Sequence, residues 1–351
     1  LYMKPLYELL AYVSFFTISA LLWLYINIRY PRNIFKFFPW LLLIPLWYAF
    51  SVTSIEGHVF ANYGFIVWPV ALAVTYYIYW ICDNKQIAPL ATDNLHTAAY
   101  LLVTAIVVFE SYWYLEHNGF AESWSVSAVA LVIILALQLI NRLKAWPIKQ
   151  YAHSYQNRTA VILIGGLVFW SFLGNFMHFL VPKPLPYITL LNPVDVVQGL
   201  ALFSISEWYF RSQSVNRSML DNQTFYKLVG GFCFIWFNVV LLKTIHLFTG
   251  VHYSPDNLFN SVVVQMAISI SWTIIGLLIM VLASKTLQRQ LWFVGGSLTG
   301  IVVIKLFLLD QNGSGTIERI VTFMIVGVLL LVVGYFSPVP PSQKIVDENK
   351  S

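Results

Sequence analysis

Charged residues are scarce in this chain of 351 residues: only 10% are Asp, Glu, Lys or Arg, whereas 59% are hydrophobic. An ordinary soluble domain has about 25% charged residues and about 45–50% apolar ones. The deficit of charge excludes a soluble enzyme, a disordered chain and a nucleic-acid-binding protein. A surface this apolar needs lipid around it, so the composition predicts a multi-pass membrane protein.

Cysteine is scarce as well. The chain has two cysteines, Cys82 and Cys233, which form no CxxC motif and have no histidine close to them in the sequence. This spacing argues against a disulfide framework and against a zinc site, and we expect no metal and no cofactor. We predict that both cysteines are small apolar residues of the core.

Long apolar runs are what the chain has in abundance. A helix needs about 20 apolar residues to cross about 30 Å of hydrocarbon. Strands are excluded, because an open sheet edge cannot lie in lipid. The predicted spans are residues 6–28, 37–54, 61–82, 97–117, 124–143, 159–181, 193–211, 226–247, 259–283, 291–309 and 317–336. The sequence therefore predicts an all-α fold, a polytopic membrane helix bundle of about 11 transmembrane helices.

The distribution of Lys and Arg predicts how this bundle is oriented. Of the 20 basic residues, fifteen fall in one set of alternate loops and the tail, three in the opposite set, and two inside spans. Basic residues accumulate on the cytoplasmic side, so we predict an external N-terminus and a cytoplasmic C-terminus. An external N-terminus without an export signal implies an upstream span. We therefore expect residues 1–341 to be a single transmembrane domain, the C-terminal part of a longer chain, with a polar cytoplasmic tail at 342–351.

Small and polar residues inside the spans predict how the helices pack. Gly296 and Gly300 form a GxxxG pair, a spacing that lets two helix backbones approach closely. On the ninth span, polar side chains recur at every fourth position. They are interpreted either as interhelical hydrogen-bonding groups or as the lining of a polar path. This polar stripe consists of Ser261, Gln265, Ser269 and Thr273.

Ionisable residues in the spans are the candidates for a functional site, because a charge in lipid is costly. They concentrate in the predicted outer third of the membrane. The candidate ligand-binding residues are Glu110, Asp195, Lys243, His246, Lys305, Asp310 and Arg319. One interpretation is a structural ion-pair network with snorkelling lysines. The other is an outward-facing vestibule in which Lys243, Lys305 and Arg319 bind a phosphate or a carboxylate.

The run from Asn192 to Asp195 predicts the start of a helix. Asn192 is a typical N-cap, Pro193 suits the first helical position, and Asp195 is an acid in the first turn, where the helix dipole is positive. Capping accounts for Asp195 without catalysis, although an interfacial or re-entrant segment before it would favour a pocket. In the predicted cytoplasmic half, Glu207 and Arg211 are spaced for an i, i+4 salt bridge.

Several segments in the second half of the chain resemble one family. They are Leu191–Gln198, Gln265–Thr273, Lys305–Asp310, Glu318–Phe323, Gly327–Tyr335 and the prolines Pro338, Pro340 and Pro341. Together they resemble the predicted bacterial membrane proteins known as domain of unknown function 2339, over roughly residues 185–341. The first half resembles the family only in hydropathy. The resemblance implies a bacterial inner-membrane protein with no established reaction. The positions that match the family pattern are Asn192, Asp195, Lys305, Asp310 and Arg319.

Three functions remain open from the sequence. The first is a transporter or an envelope-assembly component, with an outward-facing anion-accepting vestibule. Its partners would be membrane lipids, an anionic lipid or solute, and other envelope proteins, but no nucleic acid. The second is an enzyme that transfers a glycosyl or acyl group on a lipid-linked substrate at the external face, against which stands the absence of a nucleophile motif such as GxSxG. The third is a structural membrane subunit.

Overall fold

The computed structural model is helical. It describes residues 4–30, 37–87, 89, 91–176, 186–213 and 220–308, and in addition residues 320, 323, 324, 327, 328 and 331. In this part of the chain there are eleven α-helices and no strands. The helices are α1 (Lys4–Arg29), α2 (Trp40–Glu56), α3 (Gly64–Asn84), α4 (Thr92–His117), α5 (Glu122–Arg142), α6 (Ala160–Phe176), α7 (Pro193–Gln213), α8 (Asn222–Thr249), α9 (Pro255–Asn260), α10 (Val262–Lys285) and α11 (Arg289–Leu308). A π-helical turn, Ser154–Thr159, leads directly into α6.

Seven of these helical segments are long and apolar enough to cross a membrane. They are α1, α3, α4, α5, the π-helical turn together with α6, α8 and α10. Helix α2 is apolar but shorter. The all-α fold and the presence of several transmembrane helices are thus confirmed. The spans predicted at 193–211 and 291–309 coincide with α7 and α11, whereas most of the span predicted at 317–336 lies outside the described residues.

The described helices fall into two compact units, residues 1–229 (unit 1) and residues 230–351 (unit 2). Unit 1 has two apolar cores. The first is formed by α1 to α4 around fully buried side chains such as Trp68, Leu46 and Leu102. The second is formed by α5, α6 and α7 around Leu137 and Leu167. The single transmembrane domain expected from the sequence stays a prediction.

Hydrogen bonds from aromatic side chains to backbone carbonyls connect the helices of unit 1. The Nε1 atom of Trp47 in α2 donates to Ala98 of α4 at 3.1 Å, and the hydroxyl of Tyr100 in α4 donates to Ala136 of α5 at 2.8 Å. Two further donors of this kind are Trp170, which reaches Val126, and Trp208, which reaches Gln156 in the π-helical turn. Since an N–H or O–H buried in an apolar medium needs a partner, these bonds fix how the helices are placed.

In unit 2 the sequence around α9 and α10 sets the local structure. Pro255 occupies the first turn of α9, where its fixed φ suits a helix start and its missing N–H is not needed. Ser261 is the N-cap of α10, and its side chain accepts a hydrogen bond from the backbone N–H of Val264. The chain thus makes a short helix and turns at a capping residue before the long apolar helix α10.

Two glycines of unit 2, Gly276 in α10 and Gly295 in α11, allow these helices to approach closely. A Cβ atom built on Gly295 would lie 2.7 Å from the carbonyl oxygen of Gly276, and one built on Gly276 would lie 3.0 Å from the carbonyl oxygen of Gly295. The sequence had indicated Gly296 and Gly300 instead. A Cβ on Gly300 would meet no heavy atom within 4 Å among the described residues, so the close contact lies on a neighbouring face of α11.

The two cysteines differ in their surroundings. Cys82 in α3 is buried, as predicted, whereas Cys233 in α8 is exposed. The prediction for Cys233 as a core residue was therefore wrong, because a hydrophobic helix in a membrane also presents apolar residues on its outer surface.

We predict that Gly295→Ala destabilises the protein by about 1–3 kcal/mol, since the new methyl group has no room against the backbone of Gly276. Gly300→Ala is the matched control in the same helix. It is expected to cause no loss, and alanine's higher helix propensity could add up to about 1 kcal/mol. Unfolding of the full chain in mixed micelles measures both. Equal effects of the two substitutions would contradict the helix contact described here.

Candidate functional site

The residues predicted for the site are divided between the two units. Glu110, Asn192 and Asp195 belong to unit 1, and Lys243, His246 and Lys305 belong to unit 2. Asp310 and Arg319 lie outside the described residues. Each group is therefore described within its own unit.

Lys305 connects α11 to α10. Its Nζ atom donates to the backbone oxygen of Gln265 at 3.1 Å and to the hydroxyl of Ser269 at 2.8 Å. Interhelical hydrogen bonding by the side chains of the polar stripe is thus confirmed for Ser269, whereas Gln265 accepts with its backbone oxygen and its side chain donates to the carbonyl of Phe259. Ser261 instead caps α10, and the hydroxyl of Thr273 donates back to the carbonyl of Ser269 within the helix.

Lys243 and His246 lie near the end of α8. Lys243 is only 2% exposed and lies six residues before the last residue of the helix, about 9 Å along its axis. His246 lies one turn further on, where its Nδ1 atom hydrogen-bonds with the backbone oxygen of Val251 and its ring packs edge-on against Tyr253, with 5.7 Å between the centroids. His246 therefore helps to close the helix end.

In unit 2 the three long described helices carry basic residues but no carboxylates, whereas the short helix α9 contains Asp256. From Gly230 onward, α8, α10 and α11 contain four basic residues and no Asp or Glu. Two of these residues, Lys285 and Arg289, lie together where α10 ends and α11 begins. Lys305 and Lys243 lie towards the opposite ends of their helices. Gln265 and Ser269 hold the Lys305 ammonium with uncharged oxygens, and the excess of basic residues in these three helices is suited to an anionic group.

At the start of α7 the structure contains the predicted helix cap. The side-chain oxygen of Asn192 accepts a hydrogen bond from the backbone N–H of Asp195 at 3.0 Å, and the amide of Asn192 donates to the carboxylate of Asp195. Both side chains are buried. Close to this cap, Gln198 of α7 donates to Asn175 of α6 at 3.1 Å. The prediction of a capped helix beginning at Pro193 is thus confirmed.

Glu110 fixes the loop between α2 and α3. One of its carboxylate oxygens accepts from the backbone N–H of Phe60 at 3.1 Å, and the other lies 3.3 Å from Nδ1 of His58. The imidazole of His58 in turn stacks on Trp113 with 3.8 Å between the ring centroids. These contacts give Glu110 a structural role, because they join the loop to α4.

A buried histidine that the sequence analysis did not single out lies in unit 1. His96 is 1% exposed, its Nδ1 atom lies 3.2 Å from the hydroxyl of Tyr155, and its ring stacks on Tyr151 at 3.9 Å. Its Nε2 atom is buried and has no hydrogen-bond partner among the described residues. An unsatisfied buried polar atom costs about 1–3 kcal/mol.

Two carboxylates lie near this histidine. Asp83 accepts hydrogen bonds from Nε1 of Trp146 at 2.7 Å and from the hydroxyl of Tyr151, and Asp93 accepts from the hydroxyl of Ser154. Burial, together with the hydrogen bond to Asp83, raises the pKa of the Tyr151 phenol. The phenol therefore remains a donor at neutral pH. The clustering of Asp83, Asp93 and a histidine around the loop between α3 and α4 was the available sequence signal.

The described residues contain no group of three or more His, Cys, Asp or Glu that could hold a metal ion. What they do contain is a set of apolar helices in which several polar groups form hydrogen bonds with other helices. The chain is a helical multi-pass membrane protein. It belongs to the family of predicted membrane proteins DUF2339, whose family model matches residues 6–340. The match extends well beyond the resemblance seen over residues 185–341. No curated protein and no solved structure matches the chain.

We predict that Asn192→Ala lowers the free energy of unfolding by about 0.5–2 kcal/mol, because α7 loses its N-cap acceptor. Asn118→Ala is the control, since Asn118 is exposed just after α4 and its side-chain amide donates to the carbonyl of Tyr114, four residues earlier. The measurement is equilibrium unfolding of the full chain in mixed micelles. If both variants unfold alike, the cap at Asn192 does not stabilise the protein.

Proposed function

We propose that this chain is a multi-pass protein of the bacterial inner membrane that accepts an anionic group at its external face, in transport or in envelope assembly. The excess of Lys and Arg in alternate loops supports an external N-terminus and a cytoplasmic C-terminus. In that orientation the ends of α8 and α11 and the start of α10 lie on the external side.

The observation that supports this function most directly is the position of the Lys305 ammonium. It is held between α11 and α10 by a carbonyl and a hydroxyl, which orient the group. Its acceptors, Gln265 and Ser269, lie one to two turns inside α10, so the charge is drawn into the apolar layer. Attraction for an anion is stronger there than in water.

The position of Lys243 in α8 also supports an anion-accepting function. It is almost completely buried within α8, on the same predicted side as Lys305. A buried lysine inside a membrane helix is costly and commonly marks a path or a binding site. Two lysines in helices that carry no carboxylate favour a phosphate or a carboxylate over a cation as the accepted group.

The test is the amount of anionic lipid or solute that copurifies with the full chain. Lys305→Met is expected to reduce it by about fivefold or more, since one basic group at a membrane surface contributes about 1 kcal/mol. Lys305→Arg keeps the charge and should retain most of it. Native mass spectrometry and phosphate analysis of the purified protein give the amounts.

Lys285→Met is the matched control, because Lys285 is exposed at the opposite end of α10. If Lys305→Met lowers the thermal stability but leaves the bound anion unchanged, Lys305 serves only to hold two helices together. That outcome would overturn the proposed function.

A further inference from the structure

A second cationic feature lies in unit 1, where α5 and α7 end side by side. Arg142 is the last residue of α5, and Arg211 lies two residues before the end of α7. Both guanidinium groups approach the carboxylate of Glu207: the distance is 3.6 Å for Arg142 and 2.7 Å for Arg211. The salt bridge predicted between Glu207 and Arg211 is thus confirmed, with Arg142 as a second cation. We refer to Arg142 and Arg211 as the arginine pair.

The arginine pair is held in place by several hydrogen bonds. Gln138 donates to Glu207 at 2.9 Å and accepts from Nε of Arg142 at 2.9 Å, and Arg211 reaches the backbone oxygen of Asn141 at 3.4 Å. These contacts orient the two guanidinium groups, whose side chains are nevertheless 64% and 53% exposed. Two arginines around one carboxylate leave an excess of one positive charge at this helix boundary.

An apolar surface leads away from the arginine pair. Phe203 and Phe210, seven residues apart on one face of α7, are 61% and 49% exposed, and they line a shallow groove with Ser206, Glu207 and Arg211. On α5, Leu139 is 49% exposed close to Arg142. Side chains of this kind suit hydrocarbon chains, whereas a soluble anion would gain nothing from them.

We propose that the arginine pair and the groove beside it bind one anionic phospholipid. Its phosphate accepts hydrogen bonds from Arg142 and Arg211, and an acyl chain lies along Phe203 and Phe210. Guanidinium groups suit phosphate oxygens because they offer paired, coplanar donors. The excess of one positive charge favours a lipid with one negative charge over a zwitterionic lipid.

The experiment uses the full chain in nanodiscs that contain phosphatidylglycerol and phosphatidylcholine, with native mass spectrometry of the lipids retained on the protein. The wild-type chain should retain phosphatidylglycerol preferentially. In the double variant Arg142→Gln/Arg211→Gln, the preference for phosphatidylglycerol over phosphatidylcholine should fall by about fivefold for each arginine removed. Arg158→Gln is the control: Arg158 is a neighbouring exposed arginine in the π-helical turn that bonds to Asn94 at 2.6 Å. It should not change the preference.

Glu207→Gln separates lipid binding from a purely structural ion pair. It removes the carboxylate that opposes the phosphate but keeps an oxygen for the arginines, so phosphatidylglycerol retention should rise by about fivefold. If retention does not rise, or if the correctly folded double variant retains as much phosphatidylglycerol as wild type, the proposal is overturned. A competition experiment compares inorganic phosphate with sodium chloride of equal ionic strength. If phosphate displaces more lipid than sodium chloride does, the site binds free phosphate and the proposal is also overturned.

Discussion

The structure depends on one constraint, namely that a polar group buried in the apolar layer must be satisfied by another part of the protein. Several indole and phenol groups of unit 1 meet this constraint by donating to carbonyls of other helices, as Trp47 does to Ala98, whereas the indole N–H of the buried Trp68 has no hydrogen-bond partner among the described residues. Lys305 meets it in unit 2 through Gln265 and Ser269. Polar residues in these helices therefore determine which faces meet. Large apolar residues contribute less to this choice, because lipid chains are as apolar as they are, whereas small residues such as Gly276 and Gly295 contribute through close packing.

Buried charged groups in the two units meet this constraint with different kinds of partner. Two acids of unit 1 are held by donors: Glu110 by a backbone N–H and a histidine, and Asp195 by the amide of Asn192. In unit 2 a lysine is held by oxygens that carry dipoles and no net charge. A carboxylate supplied with donors has its charge dispersed over them, and capping at the start of α7 needs nothing more. Cationic groups attract anions, and the excess of basic residues in α8, α10 and α11 is the reason why we propose an anion-accepting function for unit 2.

Hydropathy and local signals predicted much of this structure, and interactions between distant residues account for the rest. The apolar runs predicted the helices because most of them reach about the 20 residues that the hydrocarbon layer requires. The cap at Asn192 and the salt bridge from Glu207 to Arg211 were predictable because their partners are three and four residues away. The contact of Gly276 with Gly295 was not, because a GxxxG spacing does not specify which face of a helix meets its neighbour. The surroundings of His96 depend on Tyr155, which is 59 positions away in the sequence.

The two proposed anion sites differ in how strongly water and salt weaken them. The arginine pair is more than half exposed, so salt screens its field over a distance of about 10 Å at 0.1 M. The Lys305 ammonium is only partly exposed and lies between two helices, where the effective dielectric constant is lower and screening is weaker. Binding at the arginine pair should therefore decline with ionic strength and depend on contacts with acyl chains. An anion next to Lys305 would depend more on the geometry of its donors, since moving any charge into that layer carries a desolvation cost that only close hydrogen bonds offset.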